Sequence, residues 1–416
     1  MDTCSHAVPS ACTASDARPD TQSLCMSRSL LGLFATASGL SVANVYYAQP
    51  LLDAMSHDFG IAHAAIGGVV TATQAGCALA LLLIVPLGDS LERRRLMLAQ
   101  LTALVLALLA VAVAPTPVAL LAAMLCVGML GTAMTQGLIA YAASAAPSHE
   151  RGRVVGAAGS GVFVGLLLAR VFAGAVSDVT GWRGVYGASA AIMLVLGIAL
   201  WARLPRLPAT HDERSYLSLL ASMLGLLRDE RVLHIRGVLA LLMFAALNIF
   251  WSALVLPLSA PPFNFSHTQI GAFGLVGACG AFAAARAGRW ADKGYEKRTS
   301  AGALALLLLA WLPAAQLQPT RYGLAALIAG IVLLDLGGQA LHVTNQSLIL
   351  RGKSASSRLI GLYMLFYAIG SGLGAMSTTF VYAHAGWQGV CLLGAGVSFA
   401  ACLFWLATQH LVRQQS

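Results

Sequence analysis

Residues Leu324–Leu350 read LAALIAGIVLLDLGGQALHVTNQSLIL. The run is apolar along most of its length, with one carboxylate, Asp335, near its middle and a histidine, His342, seven residues later. A hydrocarbon core about 30 Å thick takes roughly 20 residues of α-helix to cross, so this stretch predicts a membrane span. Charge is costly at that depth, and an ionisable group there is by default a functional-site hypothesis.

Similar apolar windows lie near 30–52, 64–87, 96–114, 117–144, 154–177, 184–202, 237–258, 268–288, 301–318, 359–383 and 388–409. With 322–349 they predict twelve spans, all helical, because lipid offers no partner to open backbone groups. The whole chain is 58% hydrophobic and only 10% charged, with mean hydropathy +0.77. Soluble domains are about 25% charged. Most of this surface therefore faces lipid.

The net charge of +9 does not point to nucleic acid. If the N-terminus is cytoplasmic, every lysine and arginine except Arg170, Arg183 and Arg321 falls on the cytoplasmic side. That asymmetry follows the positive-inside rule. It predicts a multi-pass protein of the inner or plasma membrane with both termini inside. Cys77, Cys126, Cys279, Cys391 and Cys402 sit in apolar runs and read as small hydrophobes. Cys4, Cys12 and Cys25 match no common zinc spacing, so no metal is expected. Residues 1–27 lack the apolar core of a signal peptide and read as a disordered cytoplasmic tail.

Between the sixth and seventh windows, residues 204–236 are polar. They hold Leu217, Leu220, Leu224 and Leu227 at helical spacing. This predicts a short amphipathic helix, lying either on the membrane surface or packed on the protein. It divides the chain into an N-terminal bundle, 28–203, and a C-terminal bundle, 237–410, with a tail at 411–416.

The bundles repeat. Gly181-Trp182-Arg183-Gly184-Val185 returns 205 residues later as Gly386-Trp387-Gln388-Gly389-Val390. Arg153-Val154-Val155-Gly156 returns at the same offset as Arg358-Leu359-Ile360-Gly361. Asp89 with its arginines follows the second window, and Asp292 with Lys293 follows the eighth. A period of six spans gives both halves the same orientation. Parallel repeats of this kind suit a secondary transporter with its site between the halves. The predicted class is an all-α membrane protein of two parallel-repeat six-helix bundles.

Gly88-Asp89 with Arg93-Arg94, and Gly288-Arg289-Trp290-Ala291-Asp292-Lys293, resemble the loop motif that follows helices 2 and 8 in the major facilitator superfamily. The first copy departs from the pattern at Val85, Ser90 and Glu92. The stretch Asn44–Leu52 on helix 1 and Leu334-Asp335-Leu336-Gly337 with Thr344-Asn345-Gln346 on helix 10 are similar to the twelve-span drug–proton antiporter branch. Its small-metabolite and arabinose-type exporters are the nearest likeness. Helix 5 has Gly161-Val162-Phe163-Val164-Gly165 without the proline that this branch usually carries. The resemblance implies a gating latch of Asp89 and Arg93 against helix 11, echoed at Asp292, and a central cavity lined by helices 1, 4, 7 and 10. Loop charges that only hold orientation are the plainer reading of the same residues.

On a helix, Asp335, Gln339, His342 and Gln346 share one face. They form a polar stripe about 16 Å long at 1.5 Å per residue. Arg170 on the fifth span is 17 residues from Arg153, and Asp335 is 16 from Arg351. Both therefore lie roughly 25 Å above the inner charges. Equal depth predicts an ion pair across the halves. Two readings of it stand: a proton switch, with His342 as a further proton-coupling group, or a permanent structural pair. Asn44 with Tyr47, Gln136, and Asn248 with Trp251 are the remaining expected substrate contacts, beside Gln339 and Gln346.

No Gly-x-x-x-x-Gly-Lys-(Ser/Thr) loop is present, which argues against ATP-driven transport. No nucleophile elbow or zinc-protease helix appears, so the chain does not read as an enzyme and implies no cofactor. The expectation is a monomeric secondary transporter that moves a small organic solute by alternating access, with protons and the lipid bilayer as its other partners. Proton-coupled efflux leads. Import by symport or facilitation is the rival on the same fold, and a non-transporting membrane sensor is the rival of a different class.

Overall fold

The computed structural model describes residues 27–146, 150–204, 216–351 and 356–410. Among the described residues there is no strand. Eight helices among these residues are long and apolar enough to cross a membrane. Two of these, Arg151–Arg203 and Ser356–Thr408, have 53 residues each and are broken at one glycine, Gly181 and Gly386. Gly68–Ile84 and the segment 296–314 complete twelve crossings.

We number the crossings α1 (Arg28–Phe59), α2 (Gly68–Ile84), α3 (Arg93–Ala112), α4 (Pro117–Ala145), α5 (151–180), α6 (182–203), α7 (Arg231–Ser259), α8 (His267–Ala291), α9 (296–314), α10 (Arg321–Leu350), α11 (356–385) and α12 (387–408). An even number of crossings puts both chain ends on one face, called here the termini face; the opposite one is the far face.

The repeat in the sequence is a repeat in the backbone. Gly181 has φ +74° and ψ 171°, and Gly386 has φ +60° and ψ −160°. That region is essentially open to glycine alone. Each glycine reverses the chain into a helix that begins with tryptophan. Trp182 Nε1 donates to Asp58 Oδ2 at 3.1 Å, and Trp387 Nε1 donates to Ala314 O at 2.8 Å. The next residues tie to the ends of α3 and α9: Arg183 Nη1 donates to Ala114 O, and Gln388 Nε2 to Ala315 O. Thr116 caps the start of α4, and Thr320 caps α10. Within each half the first helix crosses the fifth at small residues. A Cβ on Gly165 would lie 2.1 Å from Gly39 O, and one on Gly370 would lie 2.1 Å from Leu241 O. Small residues let membrane helices approach this closely.

Several helices run past their apolar windows. Helix α1 passes through Gln49-Pro50-Leu51 as a 3-10 turn and continues as helix to Phe59. Helix α7 begins at Arg231, before the window at 237. Arg236 is helical and 3% exposed, with Nη1 donating to Ser300 Oγ at 3.3 Å. A basic residue with buried partners does not have to end a span.

The linker helix covers Tyr216–Asp229. Leu219 and Met223 are buried, whereas Leu217 and Leu224 are 73% and 65% exposed. Its packed face is thus offset from the leucine series in the sequence. Tyr216 donates to Leu83 O on α2, and Arg358 on α11 donates to Ser222 Oγ. The helix is therefore bound to both halves at the termini face.

Candidate functional site

The halves meet most tightly toward the far face. Gly67 N donates to Thr379 Oγ1 at 3.2 Å, and Thr71 Oγ1 donates to Gly372 O at 2.8 Å, joining α2 to α11. Helices α5 and α8 touch where Gly174 meets His267. Around that contact lies a charged cluster. His267 Nε2 is 3.0 Å from Asp53 Oδ1, and its Nδ1 is 3.4 Å from Asp178 Oδ1. The backbone N–H groups of His267 and Thr268 also donate to Asp178, at 3.0 and 2.9 Å. At the other end of α5, Gly152, Gly156 and Gly159 have open space where a side chain would be. The seam is closed on the far side and loosens toward the termini.

Between the halves, about midway, is a narrow cavity of about 50 Å³. Tyr46 and Gln49 reach it from α1, Arg170 from α5, Asn248 and Trp251 from α7, Asp335 and Gln339 from α10, and Tyr367 from α11. A larger space of about 100 Å³ at the termini face is lined by Arg93, Gln136 and Arg358 beside mostly apolar side chains. The central cavity holds the buried charges.

Asp335 and Arg170 line the same cavity, and the expected ion pair between them is not formed. Arg170 is 6% exposed. Its Nε and Nη2 both donate to Gln49 Oε1, at 3.1 and 2.8 Å. The guanidinium lies 4.1 Å from the Trp251 ring centre and 5.6 Å from that of Tyr46. Cation–π contact with Trp is strong when water is excluded. Gln49 thus takes the place the carboxylate was expected to fill. Asp335 Oδ2 is buried with no hydrogen-bond partner among the described residues. A buried, unpartnered carboxylate oxygen is expensive unless something else enters.

Gln49 also links the halves, donating through Nε2 to Asn248 Oδ1 at 3.0 Å. Asn248 Nδ2 passes the chain on to Ser371 Oγ at 2.9 Å. Across the cavity, Tyr46 and Tyr367 hydrogen-bond through their hydroxyls, again joining the halves.

Asn248, Trp251 and Gln339 stand in the cavity wall as the sequence indicates. Asn44 and Tyr47 do not. Asn44 is fully buried; its Nδ2 donates to Leu40 O, and its Oδ1 accepts from Ser189 Oγ at 2.6 Å. Tyr47 packs on Phe172 and Tyr186. That face of α1 points into its own bundle. The cavity receives the neighbouring face, Tyr46 and Gln49, which are also three residues apart. Nothing in the local spacing distinguishes the two pairs, because polar groups satisfied inside a bundle and polar groups lining water follow the same helical period. His342 lies outside the cavity lining, with Nδ1 3.0 Å from the Tyr363 hydroxyl and its ring against Phe244. Gln346 is likewise absent from the wall, and Gln136 belongs to the termini-face space.

Of the expected latch, Arg93 donates Nε to Gly88 O at 3.1 Å and Nη1 to Ala140 O at 3.3 Å, bracing the α2–α3 corner against α4. The side chains of Asp89 and Asp292 lie outside the described residues. The His267 cluster escaped the sequence reading because Asp53, Asp178 and His267 are scattered along the chain and each sits beside a predicted span end.

Comparison with known proteins agrees with this architecture. A sequence profile described as Major Facilitator Superfamily matches residues 31–256 and 237–415. The chain is 40% identical over 393 residues to the "Uncharacterized transporter YgaY" of Escherichia coli O157:H7, covering 92% of this chain and 97% of that protein. It is 31% identical over 386 residues to the "Probable transporter SCO4007" of Streptomyces coelicolor, covering 92% and 87%. Among solved structures, a bacterial homolog of the human lysosomal transporter Spinster, inward-facing and unoccupied, superposes with TM-score 0.73 at 16% identity, over 91% of this chain and 98% of that one. The nucleoside transporter NupG does so with TM-score 0.68 at 15% identity, over 90% and 99%. At such identities the structural likeness concerns the fold alone. The family match and the two sequence relatives carry the assignment: the chain is a multi-pass membrane transporter of the Major Facilitator Superfamily.

Proposed function

We propose that the chain exports a small organic solute in exchange for protons, with Asp335 as the group that alternates between proton and solute. The observation that carries this reading is the carboxylate itself. Asp335 lies on the central cavity with one oxygen buried and making no hydrogen bond among the described residues. A proton or a cationic group on the solute would each satisfy it, and the two exclude one another. That exclusion is the chemical basis of antiport.

The rest of the site supplies the coupling. Asp335 belongs to the C-terminal half and Arg170 to the N-terminal half. Their opposite charges attract across the seam without touching, and attraction is strong where water is scarce. Protonation of Asp335 removes that attraction and leaves Arg170 to Gln49 and Trp251. The halves then rock about the cavity, opening the far face by parting His267 from Asp53 and Asp178. Asp89, Arg93 and Asp292 would act at the opposite, termini-face gate. The distribution of lysine and arginine favours both termini in the cytoplasm and residence in the inner or plasma membrane. The two halves of one chain enclose the whole cavity, which fits a monomer as the working unit.

The test is solute uptake into inverted vesicles under an imposed proton gradient, comparing the wild type with Asp335→Asn. Gradient-driven uptake by the wild type and none by the variant is the expected result. Equal, gradient-independent movement in both would reject antiport in favour of a facilitator.

A further inference from the structure

We infer that the transported solute is a small zwitterion of the α-amino-acid kind, its ammonium held by Asp335 and its carboxylate by Arg170. This rests on the reading of the central cavity as the transport site and specifies what that site accepts.

Two opposite charges face the same cavity and do not neutralise each other directly. Asp335 Oδ2 makes no hydrogen bond among the described residues. Arg170 uses Nε and Nη2 on a single neutral oxygen, that of Gln49, and makes no hydrogen bond through Nη1 among the described residues. A buried guanidinium held by an amide and two aromatic rings still has no carboxylate hydrogen-bonded to it among the described residues. Each end of the site therefore keeps an unmet demand of opposite sign.

Helix α8 sets the spacing between those ends. Gly274 and Gly277 both border the cavity. A Cβ on Gly277 would lie 2.7 Å from Asp335 Oδ2, and one on Gly274 would lie 3.2 Å from Arg170 Cδ. Positions three apart on a helix are neighbours, with Cβ atoms about 5–6 Å apart. Asp335 and the stem of Arg170 thus lie against two glycines about one helical turn apart, which leave room between the charged side chains. A head with ammonium and carboxylate on one carbon can bridge that gap with a hydrogen bond at each end. The walls beyond it are Trp251, Tyr46 and Leu247, which suit an apolar side chain.

Solutes with one charge fit less well. An amine alone leaves Arg170 without an anion, and an acid alone leaves Asp335 without a cation. Sites built to bond a polar group reject analogues lacking it far more strongly than they reject small changes of shape. Exchange also acquires a definite charge. One proton enters as one net-neutral zwitterion leaves, so each cycle moves one positive charge; a singly charged amine exchanged one for one would move none.

The experiment uses the full chain in proteoliposomes and three matched probes: L-phenylalanine, 2-phenylethylamine and 3-phenylpropionate, with L-leucine and L-alanine as further zwitterions. Binding is read by calorimetry on the purified protein, and proton and charge movement by an internal pH dye and capacitive current. The expected result is binding of at least one zwitterion, with the matched amine and acid weaker by about 100-fold or more, and an inward current with proton exchange. Gly277→Ala should lose zwitterion binding while retaining the wild-type melting temperature. The inference is overturned if the amine or the acid binds as well as the zwitterion, or if none of the three zwitterions binds. Proton movement driven by the amine alone would remove the substrate class and leave antiport standing. Zwitterion binding without proton movement would keep the class and remove the antiport reading.

Discussion

Gln49 stands between Arg170 and Asn248, accepting from the first at 2.8 Å and donating to the second at 3.0 Å. One amide thus satisfies a buried cation in its own half and ties that half to the other. A carboxylate at Asp335 could neutralise the cation, but an amide leaves it charged, oriented and available. This relay separates a site that can bind from one that is merely locked.

Replacing Gln49 tests the relay. Gln49→Leu strands the Arg170 guanidinium and Asn248 Oδ1 in a dry place, at a cost of about 1–3 kcal/mol for each unmet group. A fall in melting temperature of the detergent-solubilised protein should report it. Gln49→Glu should act in the opposite way, pairing with Arg170 and raising the melting temperature while slowing transport. Transport by Gln49→Glu at the wild-type rate would show that Arg170 need not be free to engage another anion.

Asp335→Asn keeps the size of the side chain and removes its charge. Solute-dependent proton movement should fall to the level of empty vesicles, and the pH dependence of transport between about pH 5 and pH 8 should flatten. His342→Gln, by contrast, should leave that pH dependence unchanged, because His342 bonds to Tyr363 away from the cavity. A flattened profile in His342→Gln would return the histidine to the proton path.

The far-face cluster should respond to acidity through its histidine. His267 carries charge only when protonated, so its attraction to Asp53 and Asp178 strengthens as the pH falls and weakens as it rises. A cysteine placed at Ile270, buried just below the cluster, should therefore react faster with an impermeant maleimide near pH 8 than near pH 5. In His267→Leu the rate should be high and insensitive to pH.

The two reversing glycines can be weighed directly. Gly181→Ala and Gly386→Ala each force an L-residue into a backbone region it rarely adopts, at about 1–3 kcal/mol. The sites belong to different halves, so their effects on thermal unfolding should add within about 0.5 kcal/mol. A neutral result at either would mean that the hairpin tolerates another turn.

Much of the architecture could be read before any coordinates. The span count, the parallel repeat and the reversal points follow from local rules: apolar length matched to the bilayer, backbone satisfied within each helix, and a glycine where φ must be positive. Gly181 and Gly386 illustrate this, because no other residue type suits that turn. The depth of Asp335 and Arg170 was likewise legible, since rise per residue along a helix is constant. Helix ends were less so. Arg231–Arg236 extend α7 into what the sequence suggested was the linker, because buried partners offset the charge of Arg236, which composition alone would place in water.

Rotation about each helix axis belonged to the tertiary structure. Asn44 and Tyr46 are two residues apart, and only packing decides that the first bonds to Ser189 inside its bundle while the second meets Tyr367 across the cavity. The partner of Arg170 was decided in the same way: charge and depth favoured Asp335, and the approach of α1 delivered Gln49 instead. Hydropathy is a property of a window of chain, so sequence determined which segments lie in the membrane and how deep their charges sit. Contact depends on the azimuth of neighbouring helices, which no single segment encodes, so the fold alone decided which polar groups are consumed in structure and which, like Asp335, are left to bind.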